Sequence, residues 1–334
     1  MNIALVRLTS LGDIILAMSS LQVIRRSLPE CRITWVADQR FAEILDHHPD
    51  IQQVVKVDLK GLKSRRPLAA ALAAAYRTLA AHGPFDAVID LHGMIKSAAV
   101  ATVLGGPRYG FSRTIRKESL AGLFYNHTIP VPLEEPATCR YATLAARSIG
   151  LEFRPSDLSP PQPYLFWGPE DGAATAGYFS GERRNIIFVV GTSAGYKNYP
   201  AEGFVQLAEL LGENILVCHG NQQERAVAEQ IAEQSPHVRV LPPLTLNQLK
   251  AAIGRADLVI GGDTGPTHIA WACGIPSITL FGATPVCICP TERNLILETA
   301  SAINLRKPDS RDDSVSRIPA EEIARLARKL LTGS

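Results

Sequence analysis

The sequence predicts an α/β protein of two doubly wound, Rossmann-like halves facing each other across a cleft. Three observations predict it. Short apolar runs alternate with helical stretches over the first hundred residues. The same alternation restarts near residue 186. Between the two series lies RPSDLSPPQPYLFWGP at 154–169, where five prolines imply an extended linker that holds no helix. The 334 residues suffice for two ordinary domains, and a hydrophobic content of 46% with 20% charged residues suits full cores.

In the first half, apolar runs predict strands at 2–7, 32–36, 54–57 and 87–91. Helices are expected between them at 13–28, 40–47, 68–82 (alanine-rich) and 95–104. In the second half, strands are expected at 186–190, 215–218, 238–241, 258–260 and 277–281. The helices there fall at 201–211, 224–234, 246–254 and 267–273, with Pro266 as a first helical residue. Residues 306–317 are polar and read as a loop, and 319–331 as an amphipathic helix. The resulting domains are 1–155, 156–318 and a C-terminal helix at 319–334. Ligands in such sheets bind at the carboxyl ends of the strands.

Composition excludes several classes. A formal net charge of +2 argues against bulk nucleic-acid binding. The opening MNIALVRLTSLGDIILAM has Arg7 and Asp13 inside its apolar pattern and no small-residue cleavage site, unlike a signal peptide. No apolar run reaches about 18 residues, so no membrane span is expected, while docking on a membrane surface stays open. Four of the six cysteines lie in apolar segments and read as small core residues. Cys287 and Cys289 form the only close pair and have no partners at metal-ligand spacing, so no metal is expected. Such cysteine usage suits a reduced, cytosolic protein.

Five constellations carry chemistry. In RADLVIGGDTGPTHIAWACGIPSITLFG at 255–282, a strand, a glycine turn and a helix start would offer unpaired N–H groups to a diphosphate. Asp263, Thr264, Gly265 and His268 add to that mouth. Leu8–Asp13, LTSLGD, follows the first strand: Ser10 and Asp13 cap the helix, or Asp13 serves as a general base for an acceptor hydroxyl. GTSAGYKNYP at 191–200 follows the first strand of the second half. It is a solvated turn, or a phosphate loop in which Lys197 supplies a point charge. Glu224, in HGNQQE, is a first-turn carboxylate or a ribose contact. Lys60, Lys63, Arg65, Arg66, Arg113, Arg116 and Lys117 are a solvated face, or a receptor for carboxylates or lipid phosphates. His92, His47 and His48 read as structural or surface residues.

LTSLGD at 8–13 and GGDTGPTH at 261–268 resemble glycosyltransferase family 9, the lipopolysaccharide heptosyltransferases. FDAVIDLHGMIKSA at 85–98 and RKESLAGLFYN at 116–126 resemble in particular the branch that adds the first inner-core heptose. The resemblance implies a GT-B fold, with the acceptor in the first domain and ADP-heptose in the second. It implies an inverting, metal-independent transfer, with no cofactor, to a Kdo residue of Kdo2-lipid A. It places the enzyme on the cytoplasmic face of the inner membrane as a peripheral protein. By match to the motifs, Asp13 is the base and Lys197 stabilises departing ADP. Thr192, Ser193, Lys197, Glu224, Leu244, Asp263, Thr264, Gly265 and His268 bind the donor. Ser10, Gly12, Lys60, Lys63 and Arg116 bind the acceptor. The loop before Glu224 is shorter than in relatives, so Gln222 competes for the ribose role. Alternatives are a heptosyltransferase II, a protein heptosyltransferase, a nucleotide-sugar epimerase or hydrolase, and a non-catalytic binding protein.

Overall fold

The computed structural model describes residues 1–58, 61, 68–113, 118–158, 162–192, 194–282, 284–299 and 309–332. The chain divides into two compact units, Met1–Tyr164 and Leu165–Ser334. Each is built on one six-stranded sheet whose pairings are all parallel. In the first unit, β1 (Asn2–Val6), β2 (Arg32–Asp38), β3 (Gln53–Val57), β4 (Ala87–Asp90), β5 (Arg108–Phe111) and β6 (His127–Ile129) lie in the order β3-β2-β1-β4-β5-β6. In the second, β7 (Asn185–Val189), β8 (Asn214–Cys218), β9 (Val238–Val240), β10 (Leu258–Gly262), β11 (Ser277–Phe281) and β12 (Asn294–Glu298) lie in the order β12-β11-β10-β7-β8-β9.

Both sheets thus share one topology. The chain builds outward from a central strand on one side, then crosses back and builds outward on the other. The reversal falls between β1 and β4 in one unit and between β7 and β10 in the other. Loops leaving those neighbouring strands diverge, which opens a crevice at their carboxyl ends. The apolar runs explain why these strands are central. Ile3, Ala4, Leu5 and Val6 are wholly buried, as are Ile186, Ile187 and Phe188, so both sheet faces are covered.

Helices cover the sheets. In the first unit, α1 (Leu11–Ser27) packs against α4 (Ala137–Ser148), while α2 (Leu68–Ala80) and α3 (Ile95–Leu104) pack on each other. Ser19 and Ser20 in α1 are buried because each hydroxyl donates to a carbonyl one turn back, Leu16 and Ala17, at 2.7 Å. The second unit holds α5 (Ala201–Leu211), α6 (Gln222–Gln234), α7 (Leu246–Gly254), α8 (Gly265–Ala272) and α9 (Ala320–Thr332). Its core packs Phe188, Phe204 and Tyr199 with ring centroids 5.1 Å apart at each step, the first pair tilted and the second edge to face. Tyr199 donates its hydroxyl to the Ile318 carbonyl at 3.0 Å. This helps to seat α9, whose Ile323, Ala324 and Ala327 are wholly buried against the same core. Among the described residues, no helix is long and apolar enough to cross a membrane.

Three sequence expectations need correction. The helix expected at 40–47 is one 3-10 turn, Ala42–Leu45. Arg40 instead donates from its backbone N and its Nε to Asp38 Oδ1 at 3.1 and 2.8 Å, which draws the chain into a turn at the end of β2. The proline-rich stretch does hold helical turns, at Pro155–Leu158 and from Pro169 to Tyr178. Proline begins both, at a position whose missing N–H leaves no bond unmade. Tyr164 inside this stretch is buried and donates to the Ile15 carbonyl at 3.0 Å, which anchors that residue to α1. Helix α8 begins one residue earlier than expected, with Thr264 as its cap and Pro266 as its second residue and not its first.

Candidate active site

In the first unit, the crevice between β1 and β4 is built around a buried arginine. Parallel pairing sets Val6 opposite Asp90, so Arg7 emerges beside Leu91 and donates to its carbonyl at 2.8 Å. Arg7 is 2% exposed, and its Nη2 lies 2.7 Å from Asp13 Oδ2. Burial opposes the guanidinium charge, but Asp13, Tyr141 and Asp90 hold its pKa above the ordinary value.

Asp13 stands in the first turn of α1. Its Oδ2 accepts from the Ser10 hydroxyl at 3.1 Å and from the Ser10 N–H at 3.4 Å, while Oδ1 accepts from the Tyr141 hydroxyl at 3.2 Å. Tyr141 also lies under the Arg7 guanidinium, 5.2 Å from ring centroid to Cζ, and burial pushes its phenol well above the ordinary range. Capping and site geometry therefore coexist at Asp13. The carboxylate closes the helix start and stays 31% exposed, with its orientation set by three side chains.

Behind this group, Asp90 is fully buried. It accepts from Tyr125 Oη at 2.7 Å, Ser97 Oγ at 2.8 Å and the N–H groups of His92 and Gly93. Burial raises its carboxyl above the usual range, and these donors only partly offset that. His92 is structural, as expected: it is buried, and its Nδ1 accepts from the Leu8 N–H at 3.3 Å. Gly110 in β5 lets the Tyr125 ring pass, since a Cβ there would lie 2.3 Å from Tyr125 Cε2. Gly110→Ala is therefore expected to cost about 1–3 kcal/mol of stability, read by urea unfolding, because ring and strand cannot both keep their places.

In the second unit, the crevice between β7 and β10 gathers a polar cluster. The β10–α8 turn presents Asp263 and the α8 N-terminus, with His268 in the second turn of that helix. Lys197 ends a short 3-10 turn, Gly195–Lys197, after β7, and its Nζ lies 2.6 Å from Asp263 Oδ2. His268 Nε2 lies 3.2 Å from Asp263 Oδ1, and Thr284 Oγ1 donates to Oδ2 at 3.4 Å. Burial alone would raise the Asp263 carboxyl. Hydrogen bonding and charge from His268, then from Lys197, hold it well below the carboxylate range.

Close backbone approach explains the neighbouring glycine. A Cβ on Gly262 would lie 2.9 Å from both the Lys197 carbonyl and Thr192 Cγ2, so the loop carrying Lys197 sits on the end of β10. Thr192 Oγ1 lies 2.7 Å from the Ala194 carbonyl and 2.8 Å from Asn198 Oδ1, which locks that loop.

The remaining expected residues fall as follows. Ser10 is exposed and Gly12 half-buried, both at the start of α1. Thr264 caps α8, and Gly265 opens it. Glu224 packs its side chain over Gly191, where a Cβ would meet it at 2.2 Å. It accepts from Gly220 N and Asn221 Nδ2, each at 2.6 Å, so it orders its own turn. Gln222 is the exposed first residue of α6, and Leu244 is half-buried just before the Thr245 cap of α7. Ser193, Lys60, Lys63, Arg65, Arg66, Arg116 and Lys117 lie outside the described residues.

Arg7, Tyr141 and Cys287 were given no part in the site by sequence reasoning. A lone arginine ending an apolar strand was a usable signal for the first. Tyr141 comes from a helix that apolar periodicity does not announce. Cys287 Sγ lies 3.3 Å from Asp263 Oδ1 and 3.6 Å from His268 Nε2, so Asp263, His268 and Cys287 are a group able to hold a metal ion.

Comparison with known proteins adds family context. Residues 73–311 match the family described as glycosyltransferase family 9 (heptosyltransferase). A Campylobacter coli protein named lipopolysaccharide heptosyltransferase 1 is 31% identical, and the match covers 99% of both chains. A protein of the same name from Escherichia coli K12 is 29% identical, over 85% of this chain and 88% of its own. Among solved structures, the E. coli heptosyltransferase WaaC with ADP-2-deoxy-2-fluoro heptose superposes with a TM-score of 0.78 at 24% identity, covering 98% of this chain and 99% of that one. A family 9 glycosyltransferase from Veillonella parvula gives 0.82 at 23% identity, covering 100% and 98%. These likenesses establish the GT-B architecture expected from the sequence.

Proposed function

The chain belongs to glycosyltransferase family 9, the heptosyltransferases, and from that membership we propose that it transfers L-glycero-D-manno-heptose from ADP-heptose to a Kdo residue of Kdo2-lipid A in lipopolysaccharide inner-core synthesis. The observation that carries the donor half of this reading is the Lys197–Asp263–His268 cluster, set at a helix N-terminus where the sheet order reverses. An ammonium has three donors. Asp263 engages Lys197 on one side, which leaves hydrogens for diphosphate oxygens. Thr264 and Gly265 present the helix start to the same group. Leu244 packs on adenine, and Glu224 or Gln222 meets the ribose. Ser193 belongs to the same donor loop.

On the acceptor side, Asp13 takes the proton of the attacking Kdo hydroxyl. The hydroxyl oxygen bonds to the anomeric carbon as the bond from that carbon to the β-phosphate oxygen breaks, and the electron pair leaves with ADP. Attack from the opposite face inverts the centre. The Asp13 charge also offsets the oxocarbenium character that builds there. Arg7 and Tyr141 hold the carboxylate in position, and Ser10 and Gly12 shape the turn on which the sugar rests. Lys60, Lys63 and Arg116 supply cations for the acceptor's carboxylates and phosphates. A cytoplasmic enzyme peripheral to the inner membrane fits a lipid-borne acceptor.

The test is ADP release from ADP-heptose, with and without Kdo2-lipid A. Acceptor-dependent release with a gain of one heptose on the lipid is expected. Equal release without acceptor would instead identify a hydrolase, and tight ADP binding without turnover a binding protein.

A further inference from the structure

We propose that Asp263, His268 and Cys287 form a binding site for a thiophilic divalent cation of the zinc class, with a fourth coordination position open to water. Four-coordinate zinc takes nitrogen and oxygen ligands at about 2.0–2.1 Å and sulfur at about 2.3 Å. One tetrahedral face around such an ion has an N–O edge of about 3.3 Å and edges to sulfur of about 3.5 Å. Here the edges are 3.2 Å from His268 Nε2 to Asp263 Oδ1, 3.3 Å from Cys287 Sγ to the same oxygen, and 3.6 Å from Sγ to Nε2. The ligand triangle has the required dimensions without any side chain moving.

The three ligands come from three different segments of the second unit. Asp263 follows β10, His268 lies on α8, and Cys287 follows β11. His268 is 4% exposed and Asp263 13% exposed, so two of the three side chains are fixed by packing. The donor set of one imidazole, one thiol and one carboxylate selects zinc-like ions over magnesium or calcium, which demand oxygen. On binding, the Cys287 thiol proton passes to solvent and the imidazole proton moves to Nδ1, which frees Nε2 for the metal.

Two features hold the affinity well below that of a structural zinc site. His268 Nδ1 is buried with no hydrogen-bond partner among the described residues, and a missing support of that kind costs about 10–100-fold in affinity. Lys197 occupies Asp263 Oδ2 and opposes a dication through its charge.

The experiment reads metal and not heptose transfer, so its failure leaves the transferase reading standing. Metal-free protein is titrated with zinc against a chromogenic chelator of micromolar affinity. One zinc per chain is expected, with affinity at least tenfold weaker in Cys287→Ser and unaltered in Cys289→Ser. Cobalt(II) substitution should give a near-ultraviolet sulfur-to-metal charge-transfer band, absent in Cys287→Ser, with the intense visible bands of four-coordinate cobalt. No uptake at tens of micromolar zinc overturns the proposal, as does equal uptake by Cys287→Ser. Should that variant fail to fold, the cobalt spectrum of the unaltered chain decides by itself, and a spectrum without the thiolate band overturns the site.

Discussion

Asp13→Asn is expected to lower heptose transfer by about two orders of magnitude or more in turnover, with ADP-heptose affinity kept within a few fold. The substitution keeps size and shape, so the helix start persists and the amide oxygen can still accept from Tyr141 or Ser10. What disappears is a negative charge that can take a proton. The substitution also costs stability, because Arg7 is 2% exposed and loses the charge that compensates its own. Loss of one partner of a buried pair removes about 3–5 kcal/mol, and the 31% exposure of Asp13 puts the cost at or below the lower end of that range. Steady-state kinetics with deacylated Kdo2-lipid A, calorimetric titration of the donor and a melting curve separate these effects. Unchanged turnover would remove Asp13 from the chemistry and leave it a capping residue.

Legibility from sequence followed burial. Strands β1, β7 and β10 are covered on both faces, and their unbroken apolar runs announced them within a residue or two. The turns that follow them carry glycine, hydroxyl and acidic residues, so Asp13, Lys197 and Asp263 stood out. Strands β5 and β6 did not: RYGF and HTI are short, and β6 is largely exposed at a sheet edge. Helix α4 reads ATCRYATLAARS, whose buried Thr143 and Ser148 resemble surface residues until their hydroxyls are seen donating to Cys139 and Leu144 carbonyls at 2.8 and 2.7 Å. Its loss hid Tyr141, which belongs to the site only through packing. Strand order was equally invisible, since alternation predicts parallel strands but not where their order reverses. Cys287 was read without partners because they lie 24 and 19 positions away in the chain, and metal-ligand spacing rules address nearer pairs.

Lys197→Ala is expected to weaken ADP-heptose binding by about 10- to 100-fold, the scale of a hydrogen bond between charged groups, and to lower turnover further because charge grows on departing ADP. An indirect effect has to be separated from this one. Asp263 is a carboxylate only 13% exposed, and a carboxylate facing a diphosphate repels it unless neutralised. Lys197 could therefore matter only by cancelling Asp263. The double variant Lys197→Ala/Asp263→Asn distinguishes the two routes. If the lysine acts solely through Asp263, removing both charges restores donor affinity. If Nζ binds phosphate itself, the double variant stays as weak as the single one, and Lys197→Arg recovers part of the loss by returning a cation of different shape. Direct binding is the expected outcome. The carboxylate then has a positioning role, holding Lys197 and His268 at the mouth of α8 so that an anion meets an oriented ammonium and N–H groups.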